Sequence, residues 1–298
     1  MTLQEKAKQR RRQLMEINDR IKALRTEIRA LDAQRTALNA PLVTERPEMA
    51  GARVVGLCSY PKSGVSWLRA ILGAAMGITD WQEARRHLVD TAFEMPLLPV
   101  TLGGQRYAFY KTHRMAPLET YGGEALVTER SIVIHRHPLD VFVSYLNFIS
   151  GKVERISERV TGFEVGSVEE IDPATLERLF SRWIAEGSLR AEKNAFGGWH
   201  EHWSAHRARA AAGEAVLFIR YEDLHRDFAA TAGRLFAFLE VDGVDIAHVQ
   251  EVADRMTAQD GGFFWKRQTG THKAFLSAEQ IARFEMVYGP ELAEMGYA

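Results

Sequence analysis

Three basic side chains, Lys62, His113 and Arg136, are the residues of this chain best suited to chemistry on an anionic group. Each follows a short apolar run of the kind found in buried strands. Ligands of parallel α/β sheets bind at the edge where the carboxyl ends of the strands meet. We therefore expect these three side chains to converge on one anion site, in which the His113 imidazole exchanges a proton near neutral pH.

The segment after the first apolar run, YPKSGVS at residues 60–66, predicts a phosphate-binding loop. A strand, a tight loop and a helix direct backbone N–H groups and the positive end of the helix dipole into one concavity. Lys62 adds a mobile cation, and Ser66 adds a hydroxyl. The ATP-binding P-loop has the order GxxxxGK followed by Ser or Thr, whereas Lys62 here precedes Gly64. We therefore expect a P-loop-like anion site and not a Walker ATP site.

Apolar runs that alternate with helical patterns predict the fold class. The runs are residues 54–58, 107–113, 131–135 and 215–220. Alternating strands and helices favour an α/β fold with a P-loop-like, doubly wound parallel sheet flanked by helices. Residues 79–105 show no regular pattern, and Ser277 with Gln280 predicts a capping box at the start of the last helix. The predicted organisation is an N-terminal helix at 1–40, a linker at 41–52 and a catalytic domain at 53–298.

Residues 1–40 predict a coiled-coil helix that precedes the α/β domain. Apolar residues recur there at spacings of three and four: Leu14, Ile17, Ile21, Leu24, Ile28, Leu31 and Leu38. Heptads of this kind are typical of a coiled coil, and Pro41 ends the helix. We expect a homo-oligomer formed through residues 14–38. A long helix that packs on its own domain is the alternative.

The charges beside this apolar stripe indicate the orientation of the pairing. In a parallel homodimer, Arg20 would face Arg25 and Glu27 would face Asp32, which places like charges together. An antiparallel pairing brings Arg20 near Glu27 and Arg25 near Asp32 instead. Each surface pair contributes only about 0.5 kcal/mol, so the charges favour the antiparallel pairing by a small margin.

Composition and charge exclude several classes of protein. The chain has 298 residues and a net charge of −1, so binding to nucleic acid is not expected. Its polar N-terminus and the lack of an 18-residue apolar run predict a cytoplasmic protein without a transmembrane segment. The single cysteine, Cys58, cannot form an internal disulfide. A basic run at residues 6–12 would allow peripheral contact with an anionic membrane, although a solvated helix end is the favoured interpretation.

Residues 198–206 are rich in Trp and His. Two histidines two or four residues apart can bind a metal ion, but no carboxylate or cysteine cluster completes a site in this segment. We therefore predict an aromatic helix that packs in the core, and we expect no metal cofactor.

Several motifs, in this order, resemble those of the soluble sulfotransferases that use 3′-phosphoadenosine 5′-phosphosulfate (PAPS). YPKSGVSW at 60–67 resembles the family's YPKSGTTW loop, with Val-Ser in place of two threonines. Residues 111–113 match its KTH motif, and RHPLDVFVS at 136–144 matches its RNPxDVxVS motif. The segment 198–224 resembles the family's GSWxxHVxxW and YEDL motifs. The resemblance covers the chain from residue 53 onward and excludes the N-terminal helix.

The resemblance implies an in-line transfer of a sulfuryl group from PAPS to a hydroxyl or amine, with PAP as the nucleotide product. His113 would act as the general base toward the acceptor. Lys62 would neutralise the charge that develops on the leaving phosphate, and Lys111 would assist at the sulfuryl group.

The resemblance also implies the nucleotide-binding residues. The 5′-phosphosulfate would lie on Lys62, Ser63, Gly64, Val65, Ser66 and Trp67. Arg136 and Ser144 would bind the 3′-phosphate, and Trp67 and Tyr221 would flank the adenine.

The family's last motif, RKGxxGxxK, matches only in part. At residues 265–273 this chain has Trp at the family's Arg and Arg267 at its Gly. We expect Lys266, Arg267 and Gln268 to complete the 3′-phosphate site, with Arg267 supplying the guanidinium after a small shift of the loop.

The expected acceptor is a small molecule, a lipid or a glycan, and its pocket is expected to involve residues 79–105, 151–190 and 255–270. Two alternatives stay open at this point: a P-loop nucleotide kinase and a non-catalytic scaffold built on the coiled coil.

Overall fold

The computed structural model describes residues 42–91, 96–118, 120–150, 168–189, 196–259 and 268–297, together with six helical positions between 17 and 31. A mixed sheet forms the centre of the described part. Its strands are β1 (Arg53–Cys58), β2 (Leu88–Asp90), β3 (Val100–Leu102), β4 (Gln105–Thr112), β7 (Arg130–His135) and β8 (Val216–Arg220). A separate two-stranded sheet consists of β5 (Thr120–Tyr121) and β6 (Glu124–Ala125).

The strand order of the main sheet is β2-β4-β1-β7-β8, and all of these neighbours are parallel. Strand β3 adds to β4 in the antiparallel direction. Because β1 lies between β4 and β7, the chain leaves the sheet centre in both directions, which is the arrangement of a doubly wound fold. The predicted α/β class with a P-loop-like parallel sheet is confirmed.

Helices cover the sheet. They are α1 (Val65–Ala75), α2 (Trp81–His87), α3 (Pro138–Ile149), α4 (Pro173–Glu186), α5 (Trp199–Ala211), α6 (Tyr221–Arg226), α7 (Phe228–Phe238), α8 (Ile246–Gln259) and α9 (Ala278–Glu294). One core cluster joins alternate residues of β1 and β4 to α1, α2, α7 and α8. A second cluster joins α3, α4, α5 and α9. Side chains such as Val55 and Phe109 on one face of the sheet belong to the first cluster, whereas Val54 and Ala108 lie on the opposite face.

Residues 79–105 are more regular than the sequence predicts. They contain α2, whose first turn is capped by Asp80 through a 2.8 Å bond from the Glu83 N–H, and the strands β2 and β3. Each of these strands has three residues, which is too short for an alternating pattern to identify. The prediction of an irregular segment was wrong for this reason.

The start of the last helix was predicted correctly. Ser277 and Gln280 form the expected capping box at α9. Helix α5 buries Trp199, His202, Trp203 and His206, as expected of a packing helix.

Residues 42–52, which make up most of the predicted linker, contribute to the core. They include two short 3₁₀ helices, Val43–Glu45 and Pro47–Met49. Val43 and Met49 are buried together with residues of β1 and β4 in a third apolar cluster. This segment therefore packs on the α/β domain along its length.

The N-terminal stripe lies partly within the described residues. Ile17, Leu24, Ile28 and Leu31 are helical, and between 48% and 57% of their surface is exposed. Leu14, Ile21 and Leu38 lie outside the described residues.

Candidate active site

The loop after β1 has the backbone shape of an anion cradle. Lys62 and Gly64 have φ angles of 70° and 108°, in the left-handed region, and the Ser63 N–H donates to the Tyr60 carbonyl at 3.2 Å. Helix α1 begins directly after these turns. The N–H groups of its first turn have no hydrogen-bond acceptor within the helix. The first turn of α1 can therefore donate to a ligand, as the sequence predicts for Val65 and Ser66.

Glycine is required at position 64 by space as well as by conformation. A Cβ built there would lie 2.5 Å from Cδ2 and 3.0 Å from Cε2 of Tyr221. The Tyr221 ring also contacts Trp67 edge to face, with ring centroids 5.4 Å apart. The two aromatic residues predicted to flank the adenine are therefore adjacent to the loop and to each other.

Lys62 lies over an aromatic ring that the sequence does not reveal as part of the site. Its Nζ is 4.6 Å from the ring centroid of Phe148, near the end of α3. A cation over a ring face is favourable, so Phe148 holds the ammonium group close to the loop. Phe148 lies on a mostly apolar helix, where no sequence signal separates such a residue from the core.

His113 follows β4 and is bound to the start of the loop. Its Nδ1 lies 2.7 Å from the Ser59 carbonyl oxygen and 3.2 Å from the Ser59 hydroxyl. Because a carbonyl oxygen only accepts hydrogen bonds, Nδ1 is the nitrogen that carries the proton. In the neutral ring, Nε2 then has the lone pair and is able to accept a proton. The ring of Phe196 contacts His113 edge to face, at 5.7 Å between centroids.

Helix α5 has two buried histidines that contact each other, and one of them, His202, lies near His113. His202 and His206 are 3% and 0% exposed, and their rings are 4.6 Å apart. Burial, with a contribution from the nearby His206 and His113, holds the pKa of His202 well below its usual value. Burial and the charge of Arg209 lower the pKa of His206 to about 4. Both rings are therefore neutral near pH 7, and they add no positive charge beside His113.

Lys111 is paired with a carboxylate. Its Nζ donates to Asp90 Oδ2 at 2.8 Å, across the register that joins β4 to β2. Burial lowers the pKa of Lys111, and the adjacent Asp90 opposes that effect. The sequence gives no signal for Asp90, because this residue ends a three-residue strand.

Arg136 leaves β7 beside Tyr221 and is 8% exposed. Its Nη2 donates to the Gln268 carbonyl at 2.7 Å and lies 3.7 Å from Asp140 Oδ2, and its Cζ is 4.5 Å from the Tyr221 ring centroid. Its Nε is buried and has no hydrogen-bond partner among the described residues. A buried guanidinium with unused donor capacity is suited to a phosphate group.

Two of the predicted nucleotide-binding residues, Ser63 and Arg136, line the same cavity. A cavity of about 20 Å³ is lined by residues from the loop, β7 and α5, among them Ser63, Arg136 and His202. Ser144 lies one turn beyond Asp140 on α3 and is 8% exposed. Gln268 contacts Arg136 through its backbone carbonyl oxygen, whereas Lys266 and Arg267 lie outside the described residues.

Comparison with known proteins gives the family. The sequence model of the family described as "Sulfotransferase domain" matches residues 53–296. The chain belongs to the sulfotransferase family. The resemblance identified from the motifs is therefore confirmed, and the chain is an enzyme that transfers a sulfuryl group. The kinase and scaffold alternatives are not supported.

The curated relatives are distant. The amine sulfotransferase of Oryctolagus cuniculus is 22% identical over 80% of this chain and 81% of its own length. Sulfotransferase 4A1 of Mus musculus is 24% identical, with 80% of each chain covered. Flavonol 3-sulfotransferase of Flaveria bidentis is 26% identical over 68% of this chain and 61% of its own.

Solved structures show the same fold. A mouse sulfotransferase, SULT7A1, in complex with PAP has a TM-score of 0.50 at 18% identity and covers 81% of this chain and 85% of its own. Retinol dehydratase in complex with retinol and PAP has a TM-score of 0.55 at 14% identity, with 88% and 85% covered.

Neither a membrane span nor a metal site is found in this sulfotransferase within the described ranges. No helix there has the length and apolar character needed to cross a bilayer. No group of three or more His, Cys, Asp or Glu side chains in the same ranges is arranged to hold a metal ion.

Proposed function

We propose that this sulfotransferase takes the sulfuryl group from PAPS and transfers it to a hydroxyl or amine of a small acceptor, with His113 as the general base. The observation that carries the proposal is the bond between His113 Nδ1 and the Ser59 carbonyl. That bond fixes the tautomer in which Nε2 can take the proton of the acceptor. It also ties the base to the loop that would hold the donor.

The catalytic residues would act by position and charge. PAPS, when bound, supplies an activated sulfuryl group on its 5′-phosphate. His113 Nε2 would take the proton of the acceptor. Lys62, which lies over Phe148, would offset the negative charge that develops on the leaving phosphate.

Lys111 would assist only after giving up its partner. Its ammonium donates to Asp90 at 2.8 Å, so direct contact with the sulfuryl group requires that this bond breaks. We therefore assign Lys111 an indirect share in catalysis, through the position of the end of β4 and of His113 just after it.

The nucleotide would be bound from three sides. The loop Lys62, Ser63, Gly64, Val65, Ser66 and Trp67 would hold the 5′-phosphate through N–H groups. Arg136 has a buried, unpartnered Nε among the described residues and would bind the 3′-phosphate together with Ser144. Trp67 and Tyr221 would contact the adenine, and Lys266, Arg267 and Gln268 would close the 3′-phosphate site.

The acceptor would have an apolar body next to its nucleophile. The ring of Phe148 contacts the Lys62 ammonium group, and the ring of Phe196 contacts the His113 imidazole. Both of these side chains therefore lie next to an aromatic ring. A lipid or a flat natural product fits this border better than a glycan, whose hydroxyls would lose their hydrogen bonds to water there.

Residues 14–38 would join two copies of the chain in an antiparallel coiled coil. The exposure of Ile17, Leu24, Ile28 and Leu31 supports this part of the proposal. A helix with an apolar stripe that faces water is stabilised when a partner covers the stripe.

A cytoplasmic location also stays a prediction, which cell fractionation would test.

The proposed function is tested by ligand-dependent stability. PAP should raise the melting temperature by several degrees at about a hundredfold excess over its Kd, because binding to the native state at that level adds about 2.7 kcal/mol. Magnesium–ATP should have little effect, since the loop lacks the Walker order. A panel of phenols, alcohols and amines with sulfur-labelled PAPS should then identify an acceptor. A melting temperature that PAP does not raise, or that magnesium–ATP raises as much as PAP does, would contradict the proposal.

A further inference from the structure

Asp140 is a buried carboxylate that binds a distant segment of the chain. Its side chain is fully buried in the first turn of α3, one turn after Arg136. It accepts hydrogen bonds from the Gly270 N–H at 2.7 Å, from the His272 N–H at 2.9 Å and from His272 Nδ1 at 2.6 Å. Three donors that lie 130 to 132 residues away therefore converge on one carboxylate.

The bound segment begins at Gln268, whose carbonyl accepts from Arg136 Nη2 at 2.7 Å. Gly270 is in the left-handed region, with φ of 70°, and the 3₁₀ helix Thr271–Ala274 follows it. This turn brings two nearby N–H groups toward the same carboxylate, as in an anion-binding nest. Asp140 thus holds the segment whose carbonyl orients the Arg136 guanidinium.

The imidazole of His272 is held on a second side by His137. The two rings are stacked, with centroids 4.7 Å apart and planes 9° apart. His137 is itself fixed, because its ring Nδ1 accepts from the Leu139 N–H and its backbone N–H donates to Glu222. His272 therefore has a defined ring plane that presents Nδ1 to Asp140.

The charges around Asp140 explain why the carboxylate stays ionised. Burial alone would raise the pKa of Asp140, but the hydrogen bonds from His272 and the charge of Arg136 outweigh burial and lower it. A buried anion with these partners is costly to separate from any of them. Loss of one partner should therefore disturb the others, Arg136 included.

We propose that Asp140 and His272 are positioning residues that hold the segment 268–274 on α3 and thereby set the Arg136 guanidinium for the 3′-phosphate. This inference rests on the proposed function, in which Arg136 binds that phosphate. Neither residue touches the nucleotide in this scheme. Their effect is on the selection of a 3′,5′-bisphosphate over a 5′-monophosphate.

Calorimetric titration of the full chain with PAP and with AMP tests the inference. Asp140→Asn keeps the shape of the side chain but removes its charge. The ratio of the AMP Kd to the PAP Kd should fall at least about tenfold, because a buried charge pair is broken, while the AMP Kd changes less than about threefold. Asp227→Asn, at the N-cap of α7, is the matched control and should leave both Kd values unchanged.

A second pair of variants keeps the test valid if Asp140→Asn does not fold. His272→Ala should lower the ratio about fivefold. His272→Asn should restore most of it, because an amide N–H can replace Nδ1–H toward Asp140. The inference is overturned if both nucleotides weaken by the same factor, or if the ratio is unchanged in Asp140→Asn and His272→Ala. If the wild-type chain binds PAP no more tightly than AMP, the proposed function itself is wrong, and this result is distinct from a failure of the variants.

Discussion

At the residue scale, the carbonyl of Ser59 determines which nitrogen of His113 can act as a base. The sequence places His113 after a strand, and that is enough to predict a polar side chain at the ligand-binding edge. It does not give the partner of Nδ1, because Ser59 precedes His113 by 54 residues. Long-range bonds of this kind depend on the register of β1 with β4, which local patterns do not contain.

Arg136 carries a prediction at the same scale. Arg136→Ala should weaken PAP binding by about tenfold or more, since charge-assisted bonds to a phosphate are lost, and should change AMP binding much less. Competition against a fluorescent bisphosphate nucleotide measures both affinities. Arg226→Ala is the control, because that side chain is 71% exposed. Equal losses of PAP and AMP affinity would show that Arg136 does not bind the 3′-phosphate.

The side chain of Val65 also illustrates what a sequence motif leaves out. It stands where the family motif has a threonine, and the motif alone gives no reason for the change. In the structure Val65 is 6% exposed and belongs to the core under the sheet. An apolar side chain is therefore stable there, and the backbone N–H remains available to a ligand.

At the element scale, the glycines at the two ends of α1 differ in how strictly they are required. Gly64 precedes the helix, and Gly77 follows it. Gly64 has φ of 108° and lacks space for a Cβ beside Tyr221. Gly77 has φ of 79°, and no atom lies within 4 Å of the position that a Cβ would occupy there. Both positions penalise alanine for its backbone conformation. Only position 64 adds a steric clash.

Gly64→Ala and Gly77→Ala should therefore differ. Gly77→Ala should cost about 1–2 kcal/mol from left-handed strain alone. Gly64→Ala should cost about 1–3 kcal/mol more, because Tyr221 must move, and it should also weaken PAP binding. Urea unfolding measures the first effect and PAP titration the second. Similar losses of stability in the two variants, with PAP affinity retained in Gly64→Ala, would show that the contact with Tyr221 is not important.

The N-terminal stripe gives a second prediction at this scale. Leu24→Glu combined with Ile28→Glu should convert the oligomer to a monomer, because charges cannot be buried in a coiled-coil seam. Light scattering coupled to gel filtration measures the mass, and PAP binding should be unchanged. Met286→Glu, at a side chain that is 84% exposed on α9, is the control. A monomeric wild-type chain, or an oligomer that persists in the double variant, would refute the coiled-coil pairing.

Elements differed in how well the sequence predicted them. Strands β1, β4, β7 and β8 and the capped helix α9 were predicted, because an apolar run or a capping side chain marks each of them. Strands β2 and β3 have three residues each, and their partner β4 determines them. Tertiary pairing therefore fixed the segments that the local pattern did not.

At the scale of the whole molecule, buried neutral histidines link stability to pH. Burial, together with neighbouring positive charges, lowers the pKa of His135 to about 3 and of His137 and His206 to about 4. The unfolded chain binds protons at these residues below about pH 6.5, whereas the native chain does not. Stability should therefore fall as the pH drops from about 6.5 to about 4.

Urea unfolding at about pH 7.5, 6 and 5 measures this dependence. Each histidine that stays neutral in the native state contributes at most about 1.4 kcal/mol per pH unit in that window. His206→Gln should flatten the dependence, since the residue no longer titrates in the unfolded chain. An unfolding free energy that is constant across this pH range would contradict the neutral state of these rings.

Single-turnover transfer with saturating PAPS measures whether His113 is the base for sulfuryl transfer. His113→Ala should lower the transfer rate by about 100- to 10,000-fold, the usual contribution of a general base, while the PAP Kd stays within about threefold. His248→Ala, at an exposed position of α8, should react at the wild-type rate. A His113→Ala rate within about threefold of wild type would contradict the account.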